Sequence, residues 1–153
     1  MSVFIDTNVL VRSIEPSSPM HEPAVRAIAS VIESGEPVVL TPQVMAEFRN
    51  VVTRPLERNG LGLSPEEARD EIVRMEGFFS LLGETEEVYT EWKRLVMTYK
   101  VIGVQVHDAR LVAAMKVNGI ERLLTFDAQD FLRYKDIIQI VHPESVGAFR
   151  PGR

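Results

Sequence analysis

The chain contains no cysteine. Disulfides and thiolate metal sites are both excluded, and the absence fits a reducing cytosol. Long apolar runs are missing as well. No segment approaches the roughly 18 uninterrupted apolar residues that a membrane span needs. The first residues lack the basic start and apolar run of a signal peptide. A soluble, cytoplasmic protein without membrane contact is therefore expected. Nor is there an excess of positive charge. The net charge is −5, which argues against an electropositive surface built for nucleic acid. Any polyanion handled here needs local positive charge, from a few arginines or from bound metal ions. No repeat, low-complexity tract or long linker divides the chain.

What is present is the ordinary balance of a globular protein: 153 residues, 45% apolar and 25% charged. That length fits one compact domain with its own core. We place the domain at 1–148 and expect the basic tail at 149–153 to be disordered.

Short apolar segments alternate with helical patterns. Residues 2–6 read as a strand buried on both faces, followed by a short helix over 8–14. A turn at 15–19 leads to a helix over 22–34, closed by Gly35. Residues 37–40 (PVVL) give a second strand. Thr41 and Pro42 start a helix with a capping hydroxyl and a proline in the first turn; Pro55 stops it. After the loop ERNGLGL, Ser64 and Glu67 form a capping box for a helix to about Phe79. Another helix spans 85–99, and the stretch VIGVQV is strand or loop. A helix over 108–118 ends at Asn118-Gly119. Strands at 122–126 and 137–141 flank a helical turn at 128–132. This alternation predicts a three-layer α/β/α sandwich around a short, mostly parallel sheet.

Four carboxylates stand in costly places. Asp6 closes the first strand, and ligands of open α/β sheets gather outside the carboxyl ends of strands; the alternative is a cap for the next helix. Glu47 shares its helix with Val44, Phe48, Val51 and Val52. It lies about 60° from Val44 and 40° from Val51 around the axis, on the border of the core-facing stripe. It either reaches solvent from there or serves a site. Asp108 falls at the angular centre of the stripe made by Leu111, Val112 and Met115, with a helix-dipole role as its alternative. Asp127 follows the strand RLLTF, and Asp130 lies three residues on; either is placed to cap the short helix there.

In a parallel sheet, Asp6 and Asp127 emerge at the same edge, and Glu47 and Asp108 sit on helices that begin near it. Carboxylates within about 4–6 Å repel one another. A divalent cation removes that cost. Hard ions such as Mg²⁺ and Mn²⁺ prefer oxygen ligands, and only three scattered histidines compete. Paired ions about 3.5–4 Å apart activate water and stabilise the leaving oxygen of a phosphodiester.

Three stretches carry a resemblance: IDTNVLVR at 5–12, TPQVMAEFRNVV at 41–52 and HDARLVAAMKVNGIERLLTFDAQDF at 107–131. In order and spacing they resemble the PIN-domain family of metal-dependent ribonucleases, in particular the VapC-like toxin members of toxin–antitoxin pairs. The resemblance implies a parallel-sheet sandwich and an Mg²⁺- or Mn²⁺-dependent endoribonuclease acting on RNA. It implies Asp6, Glu47, Asp108 and Asp127 as metal-site acids, with Asp6 and Asp108 on the principal ion and Glu47 also positioning the attacking water. Asn8 and Thr125 become polar neighbours, and Asp130 shares or replaces the work of Asp127. A small antitoxin protein and a homodimer are further implications.

Other residues have blander readings. Thr7 and Asn8 suit a cap for the first helix. His107, beside Asp108, is a candidate proton donor, although a lone surface histidine is commoner. Arg12, Arg49 and Arg110 follow the acids and are candidates for phosphate contact, with Arg12 preferred. Two rival functions remain: a non-catalytic RNA-binding or scaffold module, and a receiver-like or phosphoryl-transfer domain. The second wants an acidic pair at the first strand end and a lysine after the last strand, and neither is in the expected place. An aspartyl-nucleophile phosphatase would want a second Asp two residues after Asp6, where Asn8 stands.

Overall fold

The computed structural model describes residues 2–148; the tail at 149–153 lies outside them. Five three-residue strands form one sheet: β1 Val3–Ile5, β2 Val38–Leu40, β3 Phe79–Leu81, β4 Arg122–Leu124 and β5 Gln139–Val141. Their order is β3-β2-β1-β4-β5, and all four pairings are parallel. Every residue of β1, β2 and β4 is buried. Successive strand residues point to opposite faces, so both faces of the sheet are covered by helices.

Those helices are α1 Thr7–Ser13, α2 His21–Glu33, α3 Pro42–Thr53, α4 Pro65–Glu76, α5 Glu86–Thr98, α6 Gln105–Val117 and α7 Ala128–Phe131. Helix α1 packs on α2 and α3, and α5 packs on α6. The core runs between sheet and helices through Phe4, Leu10, Phe48, Leu111 and Met115, each no more than 1% exposed. Burying one such side chain contributes about 1.5–3 kcal/mol. The helix starts follow the sequence signals: Thr41 accepts from the Val44 N–H, and Ser64 and Glu67 form both halves of a capping box.

Two elements differ from the sequence expectation. Helix α4 stops at Glu76, and Phe79–Leu81 is an edge strand beside β2. Ser80 and Leu81 face water, so this strand lacks the apolar run that betrays its neighbours. Helix α6 begins at Gln105, so VIGVQV contains no strand and Asp108 sits a turn inside the helix.

One topological feature positions everything that follows. The chain runs from β1 outward through β2 to β3, then crosses to β4 and β5 on the other side. The order therefore reverses between β1 and β4, and a crevice opens at their carboxyl ends. The ladder continues past the strands: the Asp6 N–H donates to the Leu124 carbonyl at 3.0 Å. With Ile5 opposite Leu124, Asp6 and Thr125 come out side by side.

Candidate active site

At that crevice lies a pocket of about 440 Å³ lined by Asp6, Glu47, Asp108 and Asp127 together with Thr7, Asn8, Val11, Arg12, Asn50, Val51, Arg54 and Asn59. The four acids come from the end of β1, the middle of α3, the second turn of α6 and the segment after β4.

Asp6 is the deepest, only 6% exposed. Its Oδ1 accepts from the Thr7 N–H at 2.8 Å, which caps α1. Its Oδ2 accepts from Thr125 Oγ1 at 2.9 Å and Asn8 Nδ2 at 3.2 Å. Capping and facing the pocket are therefore not alternatives; each oxygen does one. Burial pushes this carboxyl up from 3.8 to about 7. The bonds from Thr125 and Thr7 oppose that rise, and the charges of Asp108 and Glu47 add to it.

Glu47 is held at both oxygens. Thr7 Oγ1 donates to Oε2 at 2.9 Å, and Gln43 Nε2 donates to Oε1 at 2.8 Å. The same Gln43 amide donates to the His107 carbonyl at 3.0 Å, tying α3 to α6. Asp108 accepts no hydrogen bond among the described residues. Partial burial raises it from 3.8 to about 6, helped by Asp130, Glu47 and Asp127 and opposed by Arg133.

Asn8 is the hub. Its Nδ2 lies within hydrogen-bond reach of Asp6 Oδ2, Thr125 Oγ1 (3.2 Å) and Asp127 Oδ2 (2.9 Å), and its Oδ1 accepts from the Phe126 N–H at 3.1 Å. It stitches the β1 end to the β4 end rather than capping α1. Asp127 occupies the N-cap position of α7 without making a capping bond, so its carboxylate is committed to Asn8 and the pocket. Thr125, fully buried, lies beneath Asp6 and accepts from the Asp127 N–H at 3.0 Å.

The remaining expectations divide. Asp130 is not in the pocket wall, although its charge is felt at Asp108. Arg12 is in the wall but paired with Glu15. Arg49 is exposed on α3, and Arg110 pairs with Glu84. His107 lines a different pocket, with Tyr89 and Trp92. Gln43, Asn50, Arg54 and Asn59 were not singled out from sequence, and Thr7 only as a helix cap. For three of them a signal existed: Asn50 and Arg54 follow Glu47 at i+3 and i+7, the same helix face, and Gln43 precedes it by one turn.

All the charged donors facing the cavity from Asp6, Glu47, Asp108 and Asp127 are carboxylate oxygens, the set that suits a hard divalent cation. Among the described residues no group of three or more acids or histidines is gathered closely enough to hold a metal ion; the four acids line one pocket without forming such a group.

The PIN-domain family model matches residues 3–137. The chain belongs to the PIN-domain family. Within it, the chain is 30% identical over 139 residues to Ribonuclease VapC48 of Mycobacterium tuberculosis, covering 90% of this chain and 94% of that one. The PIN fold is also shared with VapBC2 of Rickettsia felis, solved on a DNA fragment from its promoter. The TM-score there is 0.70 at 13% identity, over 93% of this chain and 98% of the other. A toxin–antitoxin complex from Klebsiella pneumoniae is similar too, with a TM-score of 0.60 at 19% identity, over 92% and 97%. Among the described residues, no helix of this PIN domain is long and apolar enough to cross a membrane.

Proposed function

We propose that this PIN domain is a cytoplasmic endoribonuclease that hydrolyses RNA phosphodiesters with Mg²⁺ or Mn²⁺, and that it is the toxin of a toxin–antitoxin pair. The observation that carries this reading is the convergence of Asp6, Glu47, Asp108 and Asp127 on one pocket at the β1–β4 reversal. The ribonuclease named among its relatives supports the choice of RNA.

Asp6 and Asp108 would hold the principal cation, with Glu47 and Asp127 completing the set. Bound there, the cation supplies an activated water and stabilisation of the leaving oxygen. The protein's own contribution is orientation. Thr7 and Gln43 fix the Glu47 carboxylate from both sides, leaving it as an acceptor that aligns a water. Thr125 and Asn8 hold the buried oxygen of Asp6, and Asn8 anchors Asp127. Such second-layer bonds pre-set ligand geometry before any cation arrives.

A protein partner is supported by an exposed apolar region on α5 and the α5–α6 connection, where Ile102 and Val104 are 81% exposed and Met97 75%. Patches of this kind mark association surfaces, and the antitoxin and a second copy of the chain are the proposed occupants.

The test is cleavage of a structured RNA in Mn²⁺, in Mg²⁺ and in EDTA, with Asp108→Asn beside the wild type. Cleavage that requires metal and disappears in a folded Asp108→Asn protein supports the assignment. Full activity in that variant refutes it. Neither cleavage nor metal-dependent thermal stabilisation in the wild type leaves a non-catalytic binding module as the better reading.

A further inference from the structure

The acids line only part of their pocket. Along α3 the wall continues from Glu47 through Asn50 and Val51 to Arg54, two helical turns or about 10 Å further along the axis, and Asn59 joins it from the following loop. We propose that Arg54 and Asn59 form a subsite for a backbone phosphate of the RNA strand, beside the phosphate that is cleaved. The proposal rests on the ribonuclease reading of the acids and extends it to substrate grip.

Charge is the first reason. An acidic pocket on a chain of net charge −5 repels a polyanion, so a strand entering it needs a cationic handle. Two arginines line the pocket. Arg12 is already neutralised by Glu15. Arg54 has no ion pair among the described residues; its Nε is buried, so its terminal nitrogens are the ones left to meet a ligand. The Asn50 and Asn59 side chains likewise make no hydrogen bond within the described residues. An incompletely bonded guanidinium flanked by free amide donors is the arrangement that a phosphate oxygen completes.

Rigidity is the second reason. The loop after α3 folds back on the helix end. Gly60 N–H donates to the Pro55 carbonyl at 3.0 Å and Gly62 N–H to the Arg54 carbonyl at 2.9 Å, while Leu61 and Leu63 donate to Val51 and Val52. Asn59 takes the left-handed conformation at φ 63°, which asparagine tolerates better than most residues. Gly60 presses so closely that an added Cβ would lie 2.0 Å from the Arg54 carbonyl oxygen. Arg54 and Asn59 are thus presented by a fixed loop, not a flexible one.

The experiment uses the whole chain with Asp108→Asn, to suppress cleavage, and a short single-stranded RNA of mixed sequence as probe. Affinity is measured across a salt series with Arg54→Gln, Arg54→Lys and Asn59→Gly added in turn, each with a thermal unfolding curve. Arg54→Gln is expected to weaken binding about ten- to a hundredfold and to lower the slope of log K against log salt by about 0.7, the value for one phosphate contact on a single strand. Arg54→Lys restores the slope but not the full affinity. Asn59→Gly keeps the left-handed turn and weakens binding with no change of slope. In the active background, Arg54→Gln raises KM and spares kcat. Unchanged slope and affinity in Arg54→Gln, with wild-type RNA cleavage intact, overturns this proposal alone. If Arg54→Gln fails to fold, wild-type affinity in both Arg54→Lys and Asn59→Gly overturns it. No RNA bound by any variant and no cleavage by the wild type overturns the nuclease reading itself.

Discussion

Replacing Asp6 by Asn should make the metal-free protein more stable at neutral and alkaline pH, while destroying the site. Asp6 is almost fully buried, and its carboxyl is raised from 3.8 to about 7. The folded state therefore keeps a proton that the unfolded chain has already lost between those two values. Where the folded state binds more protons, stability falls as pH rises. Above pH 7 the full gap applies, worth about 4 kcal/mol at 1.36 kcal/mol per pH unit. Between pH 5 and pH 8 the wild type should lose about 3 kcal/mol from this residue alone. Asparagine carries no charge to desolvate, so this loss is absent from the variant. It does bring one new cost. Its amide must face the Asn8 amide that now donates to Oδ2, a mismatch worth about 1–2 kcal/mol. The net gain at pH 8 is then about 2–3 kcal/mol, or about 5–10 °C in Tm for a domain of this size. Urea unfolding in EDTA at pH 5 and pH 8 reads it directly. If the difference between wild type and Asp6→Asn is the same at both pH values, the carboxylate is not paying a burial cost and the reasoning is wrong.

Asn8→Ala removes the side chain that bridges Asp6, Thr125 and Asp127; we expect a stability loss of about 1–3 kcal/mol and cleavage reduced at least tenfold, checked by urea unfolding and by the RNA assay. A variant with wild-type kcat would show that Asp127 needs no anchoring. Gly60→Ala forces a methyl against the Arg54 carbonyl and should cost about 1–3 kcal/mol, measured by the urea midpoint; a neutral effect would mean the loop shifts without strain.

Much of the frame could be read from the chain because three-residue strands such as VFI and VVL are uninterrupted apolar runs closed by an acid or by a polar Thr. Parallel strands buried on both faces write themselves this way. The strand at Phe79–Leu81 could not, since an edge position leaves Ser80 and Leu81 in water and its signal merges with the end of the helix before it. The start of α6 was misplaced by a turn because Gln105 to His107 carry neither a cap nor an apolar period; its N-cap Val104 makes no side-chain bond. At the pocket, helical spacing put Asp108 at the centre of an inward stripe and Glu47 on the border of one, and the structure brings both to the cavity with Asp6 and Asp127. The network beneath them was invisible for a different reason. Asn8 looks like a capping residue at short range, and apart from Asp6 its side-chain partners lie 117 to 119 positions away. Only the register of β1 against β4 reveals them. The preference for Arg12 over Arg49 and Arg110 left out Glu15, three residues on, which pairs with that guanidinium.

The seam between β1 and β4 has a consequence for the moment at which the site comes into being. Asp6 is synthesised 119 positions ahead of Thr125, its partner across the seam. Until β4 docks against β1, Asp6 has no Thr125 beside it and Asp108 has no Asp127 facing it. A chain ending before Arg122 therefore holds three of the four acids, Asp6, Glu47 and Asp108, without the β4 end of the pocket. Long-range strand pairing of this kind forms late. The four acids are thus brought together only when β4 pairs with β1, and a chain lacking β4 does not assemble them.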